Sequence, residues 1–317
     1  MQSVVATTGS RLHFGLLGFG HPGERQWGGL GVMIDRPVTK VRIATADRLI
    51  ATGPEAERAL AIARNWSRAG GTCREVGARI EILESPPPHV GLGSGTQLAL
   101  AIGEGLDQVY GRRSRIQDLA QRVGRTGRSS VGTLGFCLGG LIYDLGKLPG
   151  ESVGSLGDRI DLPEAWRFAL VRPRGSLGVC GETETKAFRD LPASDSATTY
   201  RLKELVEAWL LPAAKRGDID SFGVRLTEYN RLAGSFYESI QKGPYINAEV
   251  AALVERLKKA GARGAGQTSW GPTVFALMPS DNDARRLLAE AGVDGDNRLE
   301  VDIVAPLNRA SSTIKEA

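Results

Sequence analysis

A run of glycines between a proline-rich stretch and an amphipathic helix is the feature that most constrains this chain. Pro86-Pro-Pro88 is followed by His89 and Val90, then by Gly91-Leu-Gly-Ser-Gly95, and the residues beyond it place Leu98, Ala101, Ile102, Leu106 and Val109 on one helical face. Proline ends the preceding element, the glycines let the backbone turn with its N–H groups inward, and the helix adds the positive end of its dipole. Such a turn is built to hold phosphate. It is equally a plain turn before a helix on spacing alone, although neither a P-loop lysine nor a Rossmann strand accompanies it.

Glycine is also abundant elsewhere. The 41 glycines among 317 residues lack any G-X-Y period, which points to tight turns and close backbone approaches rather than to a fibre. The length suits one large or two medium domains with an ample core. A surplus of 40 basic over 36 acidic residues suits an anionic ligand but is too small to define a nucleic-acid surface. Cys73, Cys137 and Cys180 have no CxxC spacing, so they read as small core residues in a reducing compartment. No signal peptide or membrane segment is expected, which makes the cytoplasm the expected location.

Residues 3–8 and then Arg11-Leu-His-Phe-Gly15 read as an extended segment entering a glycine-rich turn that continues to Gly31; 38–44 and 78–83 alternate as strands, and 53–69 has helical spacing. Residues 115–123 read as a short helix, 124–132 as a second Gly/Arg/Ser loop and 136–145 as a strand, with turns from 146 to 156. Beyond these, 168–172, 273–278 and 298–304 read as strands, and 198–215, 219–240, 247–260 and 283–291 as helices. The order is that of an α+β protein.

Six blocks carry a more specific resemblance. They are Arg11-Leu-His-Phe-Gly-Leu-Leu17, Arg25-Gln-Trp-Gly-Gly-Leu-Gly31, Pro88-His-Val-Gly-Leu-Gly-Ser-Gly-Thr-Gln97, the loop Gly124-Arg-Thr-Gly-Arg-Ser-Ser-Val-Gly132, Gly139-Gly-Leu-Ile-Tyr-Asp-Leu-Gly146 and Gly266-Gln-Thr-Ser-Trp-Gly-Pro-Thr273. With them the chain resembles the GHMP superfamily and, within it, the family of β-ribofuranosylaminobenzene 5′-phosphate synthases. The resemblance implies a ribosomal-S5-like N-terminal half over 1–160 holding the phosphate loop, a ferredoxin-like C-terminal half over 161–317, and a ligand cleft between them. It further implies condensation of phosphoribosyl pyrophosphate with 4-aminobenzoate or 4-hydroxybenzoate, with loss of CO₂ and pyrophosphate, in methanopterin-type cofactor synthesis and with Mg²⁺. A homodimer is compatible with it, and neither nucleic acid nor membrane is an expected partner.

The candidate substrate and phosphate ligands follow block by block. Arg11 and His13 share one face of an extended segment beside Gly28 and Gly29, and suit the substrate carboxylate or phosphate. Arg25 belongs to the same block. His89, Gly91, Leu92, Gly93, Ser94, Gly95, Thr96 and Gln97 form the phosphate loop, and Arg125, Arg128, Ser129 and Ser130 the second loop. Gln267, Ser269 and Trp270 form a polar and aromatic turn in which Trp270 can stack on an aromatic acid. Ser94 and Asp144 are candidate Mg²⁺ ligands, Asp144 alternatively a turn cap; His21 lacks metal-ligand partners at useful spacing. Kinases of the superfamily that use a general base draw an aspartate from the region 111–143, and here that region holds only Asp118, which favours the synthase reading over its alternative, an ATP-dependent small-molecule kinase.

Overall fold

Long runs of alternating burial make the first two strands the frame of the molecule. The computed structural model describes residues 2–69, 76–178 and 181–316. The first part contains β1 (Ser3–Leu16), β2 (Gly29–Thr45), β3 (Ile50–Thr52), α1 (Ala56–Ala69), β4 (Ala78–Glu84), α2 (Ser94–Val109), α3 (Ile116–Arg122), α4 (Val131–Leu138), β5 (Leu141–Asp144) and β6 (Leu156–Ile160). The second contains β7 (Arg167–Pro173), α5 (Gly181–Asp190), α6 (Ser196–Glu204), a π-helical stretch (Leu205–Leu210), α7 (Leu211–Arg216) and α8 (Ile219–Gly234). A 3₁₀ turn (Ser235–Tyr237), α9 (Glu238–Gln241), α10 (Ala248–Lys259), β8 (Gly264–Gln267), β9 (Val274–Met278), α11 (Asp281–Glu290), β10 (Leu299–Val304) and β11 (Ser312–Lys315) complete it.

Two sheets result. The seven-stranded one runs β11-β1-β2-β4-β3, with β5 pairing β2 and β6 pairing β5; the four-stranded one runs β10-β7-β9-β8. The C-terminal strand thus returns to the sheet of the first half, beside β1. Between α1, α2 and the larger sheet lies one core, built on Val41, Ile43, Trp66, Ile80 and Leu98. A second core joins the sheets: Phe14 of β1 meets Phe275 at 5.1 Å and Phe168 at 6.2 Å between ring centroids. That seam fixes β1 against the C-terminal half.

Four expectations are corrected. The glycine-rich turn after β1 does not continue to Gly31, because β2 starts at Gly29; a methyl at Gly31 would lie 2.4 Å from the Leu12 carbonyl oxygen, so this glycine serves close strand pairing. The strand expected over 136–145 is present only as β5, Leu141–Asp144, while residues 136–138 are the end of the buried helix α4; an apolar run reads alike in either state. The helix expected over 219–240 breaks at Gly234, where a Cβ would meet the Pro244 carbonyl at 2.2 Å, and the one over 198–215 contains the π stretch. Helix α5 and strands β6, β8 and β11 have no counterpart in the sequence reading. Cys137 is half-buried on α4, while Cys73 and Cys180 lie outside the described residues.

Helix α8 packs so closely on β8 that a methyl at Gly223 would lie 2.1 Å from the Arg263 carbonyl oxygen. Backbone cannot yield there as a side chain would. Gly223→Ala is expected to destabilise the protein by about 2–3 kcal/mol in denaturant unfolding, whereas Gly243→Ala, with nothing within 4 Å of the added methyl, should stay within about 0.5 kcal/mol.

Candidate active site

The phosphate loop is a rigid turn. Gly91 and Gly93 adopt φ of 86° and 73°, and Gly93 begins α2 with no side-chain cap on the helix. Three neighbours hold its carbonyls: the Arg11 N–H donates to Leu92 O at 3.0 Å and its Nη1 to Gly91 O at 3.1 Å, the Thr268 hydroxyl donates to Gly91 O at 3.0 Å, and the Thr273 hydroxyl donates to Val90 O at 2.7 Å. With its carbonyls so engaged, the turn presents amides and a helix N-terminus. Three guanidinium side chains crowd it. A methyl at Gly93 would lie 2.7 Å from Arg11 Cγ, and one at Gly95 would lie 2.1 Å from Arg58 Nη2 and 3.3 Å from Arg125 Nη2. Burial, and then the charge of Arg58, pull Arg125 down to about 10, with only Glu55 opposing; Glu55 pairs with Arg58 at 3.0 Å. Cations held this close favour an anion between them.

The second loop is shaped from beneath. Asp144 is fully buried; its Oδ2 accepts from the Ser130 N–H at 2.6 Å and the Ser129 hydroxyl at 3.3 Å, and its Oδ1 accepts from the Gly146 N–H at 2.9 Å. Desolvation pushes its carboxyl up, against these hydrogen bonds. Lys147 donates to Thr126 O at 2.5 Å and Gly127 O at 3.1 Å, and burial lowers its ammonium. Both side chains are committed to holding residues 126–130. Among the described residues no three His, Cys, Asp or Glu side chains group as a metal site, and Asp144 anchors the turn.

Beside the turn lies a cavity of about 490 Å³ whose wall includes the polar side chains of Arg11, His13, Thr96, Arg125, Arg128 and Ser129 and the aromatic ones of Trp27, Phe188, Tyr237 and Trp270. The aromatic rings form one group: Tyr237 meets Trp270 at 4.7 Å, Phe188 meets Trp270 at 5.2 Å and Trp27 at 5.4 Å. Arg128 lies 4.4 Å over Phe188 and joins the cationic to the aromatic group. Trp27 and Ser269 have φ of 66° and 55°, strained backbone of the kind that gathers at ligand sites. Four polar atoms of the wall are buried without a hydrogen-bond partner: His13 Nε2, Arg125 Nε, Gln241 Oε1 and Trp270 Nε1. Burial, then the charge of Arg11, hold the His13 imidazole well below its ordinary value of 6.5, so it is neutral.

Of the residues singled out in the sequence, Arg11, His13, Thr96, Arg125, Arg128, Ser129, Gln267, Ser269 and Trp270 line this cavity. Others serve the framework. Gln97 accepts from the Thr8 hydroxyl and donates to Gly132 O, and Leu92 is core. Gln267 Oε1 accepts from the Ile246 N–H and its Nε2 donates to Ser269 O, so its amide shapes the wall. Ser130 receives the Gly154 N–H, Gly28 and Gly29 pack tightly on Asp144 O and Gly15 O, and Ser94 is buried at the first turn of α2. Arg25 pairs with Glu151 at the surface; His89 is exposed, its carbonyl accepting from the Gly178 N–H, and His21 bonds Ser194 O. Arg58, Trp27, Phe188, Tyr237, Gln241 and Lys147 were missed. Trp27 stood inside a quoted block, but the others carry no local signal because helices and loops distant in sequence deliver them.

Residues 56–140 match the GHMP kinases N terminal domain and residues 210–293 match GHMP kinases C terminal, together just over half of the chain. The chain belongs to the GHMP superfamily. A β-ribofuranosylphenol 5′-phosphate synthase from Methanothermobacter thermautotrophicus is 28% identical over 86% of this chain and 88% of its own. One of the same name from Archaeoglobus fulgidus is 28% identical over 90% and 93%. A homoserine kinase structure from Cytophaga hutchinsonii superposes with a TM-score of 0.70 at 15% identity, over 98% of this chain and 97% of that one, a likeness of fold. No described helix of this GHMP protein is long and apolar enough to cross a membrane. Its cavity wall includes no carboxylate among the described residues, and Asp118 is an exposed partner of Arg115.

Two outcomes follow from this geometry. Thr268→Val leaves the His13 N–H without a partner and Gly91 O with only the Arg11 guanidinium as donor; a loss of about 1–3 kcal/mol in denaturant unfolding is expected. His13 has a folded value below its unfolded one, so the unfolded chain takes up a proton first as pH falls, and stability declines from about pH 6.5 downward. In His13→Gln the slope of stability against pH below 6.5 should be shallower than in the wild type, by thermal melts at fixed ionic strength.

Proposed function

We propose that the protein condenses phosphoribosyl pyrophosphate with a para-substituted benzoate, 4-hydroxybenzoate or 4-aminobenzoate, releasing CO₂ and pyrophosphate. The observation that carries this reading is a single cavity in which arginines crowd a helix N-terminus and aromatic rings continue the same wall. The first group suits a diphosphate and the second a benzoate ring. Two relatives named β-ribofuranosylphenol 5′-phosphate synthase, matched along nearly their whole length, support it.

In the reaction, the bond from C1′ to the pyrophosphate oxygen breaks and its electron pair leaves with pyrophosphate. Arg11, Arg58, Arg125 and the first amides of α2 take up the charge developing on that leaving group. The ring carbon bearing the carboxylate then bonds to C1′, the para substituent donating electrons, and the bond to CO₂ breaks with its pair returned to the ring. No side chain of the protein needs to act as a nucleophile. The buried walls orient two anions against their repulsion and keep water from the cationic sugar. Mg²⁺ enters here as a companion of the substrate's diphosphate, since Asp144 is committed to the loop.

A hydroxyl-phosphorylating kinase that uses a general base is less well supported, because the described cavity wall offers no carboxylate to take the proton. The test is release of CO₂ and pyrophosphate from purified protein with phosphoribosyl pyrophosphate and each acid in turn, against ADP formation from ATP. Turnover with the acids is expected, and Arg125→Ala and Arg58→Ala should each raise the KM for phosphoribosyl pyrophosphate by roughly 10- to 100-fold. Wild-type protein that turns over neither acid overturns the reading.

A further inference from the structure

In the condensation proposed above, the ring carbon that bears the carboxylate bonds to C1′, so the carboxylate lies where the cationic and the aromatic parts of the wall meet. His13 stands at that meeting point. Along β1 it is two residues from Arg11, whose side chain packs on Gly93 at the start of α2. Its backbone N–H donates to the Thr268 hydroxyl and its carbonyl accepts the Ser269 N–H, both at 2.9 Å, which sets it beside the segment that carries Trp270. Its ring lies over Gly29, two residues from Trp27; a methyl at Gly29 would stand 3.2 Å from both Cε1 and Nε2. Arg11, Trp27 and Trp270 all line the cavity with it.

The two ring nitrogens differ. Nε2, turned toward Gly29, is buried and has no partner, so a proton there would be a stranded donor. Nδ1 has no protein partner among the described residues either, yet it is not buried, and the ring lines the cavity. The proton therefore belongs on Nδ1, within reach of a ligand, and Nε2 is left as a bare acceptor, the less costly of the two to bury. Burial and the charge of Arg11 keep this ring neutral. Neighbouring amides are already committed: Asn230 donates to Phe14 O and Gln267 O, and Gln267 bonds the Ile246 N–H and Ser269 O.

A neutral donor suits a carboxylate that must leave as CO₂. Its hydrogen bond orients the group, and as the electron pair returns to the ring a single neutral N–H gives up less than a bidentate guanidinium pair would. We infer, resting on the condensation proposed above, that the His13 Nδ1–H donates to the carboxylate of the aromatic acid and sets the orientation of that group at C1′. His13 thus serves the acid, while Arg11, Arg58 and Arg125 serve the phosphoribosyl group.

The test uses two amides that each copy one ring nitrogen. Asparagine carries its amide nitrogen where Nδ1 stands, and glutamine where Nε2 stands. KM for each acid and for phosphoribosyl pyrophosphate is measured in wild type, His13→Asn and His13→Gln, with phenol, which lacks the carboxylate, titrated by calorimetry. His13→Phe, which keeps a ring without a nitrogen, replaces His13→Gln if the latter folds poorly. His13→Gln should raise the KM of both acids about tenfold, the size of one hydrogen bond to a charged group, and His13→Asn should stay within about threefold of wild type. The KM for phosphoribosyl pyrophosphate and the affinity for phenol should move by no more than about twofold in either variant. Equal losses in His13→Asn and His13→Gln, acid KM values unchanged in His13→Gln, or a loss that falls on phosphoribosyl pyrophosphate instead would overturn the inference while leaving the condensation standing. Wild-type protein that turns over neither acid would overturn the condensation, and the inference with it.

Discussion

One hydroxyl ties the site together. Thr268, fully buried, accepts the His13 N–H at 2.9 Å and donates to the Gly91 carbonyl at 3.0 Å, so β1, the phosphate turn and the segment between β8 and β9 are held at a single point. The Ser269 N–H closes the contact by donating to the His13 carbonyl at 2.9 Å. Three stretches far apart in the chain thereby share one geometry, and the first and the last of them line the cavity. Because buried backbone groups must find partners, the turn has little freedom to drift once this hydroxyl is in place.

Around that point the protein separates two kinds of recognition. Guanidinium groups and helix amides form a cationic region in which Arg125 is held down by burial and by Arg58, an arrangement that costs energy until an anion arrives. Aromatic faces form a contiguous apolar region, and Arg128 over Phe188 is the hinge between them. Asp144 and Lys147, charged and buried, have the supporting task of shaping the loop that carries Arg125 and Arg128. Charge in the interior is therefore spent on placement as well as on ligand contact.

Much of this was legible from local pattern. Arg11 and His13 read as sharing one face, and they line one cavity, because side-chain alternation in a strand is a local property; the bulge between His13 and Gly15 then turns Phe14 and Leu16 toward the same region. The helix after Gly93 declared itself by its apolar period, and the Gly/Arg/Ser loop by its composition. Gln97 and Leu92 read as ligand residues because they sit in the motif, whereas burial against Thr8, Gly132 and the core removes them from the cavity. Helix α4 is not legible in the sequence, where its last residues merge into the expected strand, because a uniformly apolar stretch has no period to read.

Periodicity and turn chemistry by themselves determined the α+β order of elements, the phosphate turn and the arginine-bearing loop, all of which depend on interactions between residues close in the chain. Only the tertiary structure decided that Arg58 of α1 reaches Gly95, that Phe188 of α5 and Tyr237 meet Trp270, and that Gln241 and Trp270 keep buried polar atoms unmatched. Those contacts join residues tens to hundreds of positions apart, and their geometry is set by the packing of helices on sheets, to which no local spacing is sensitive.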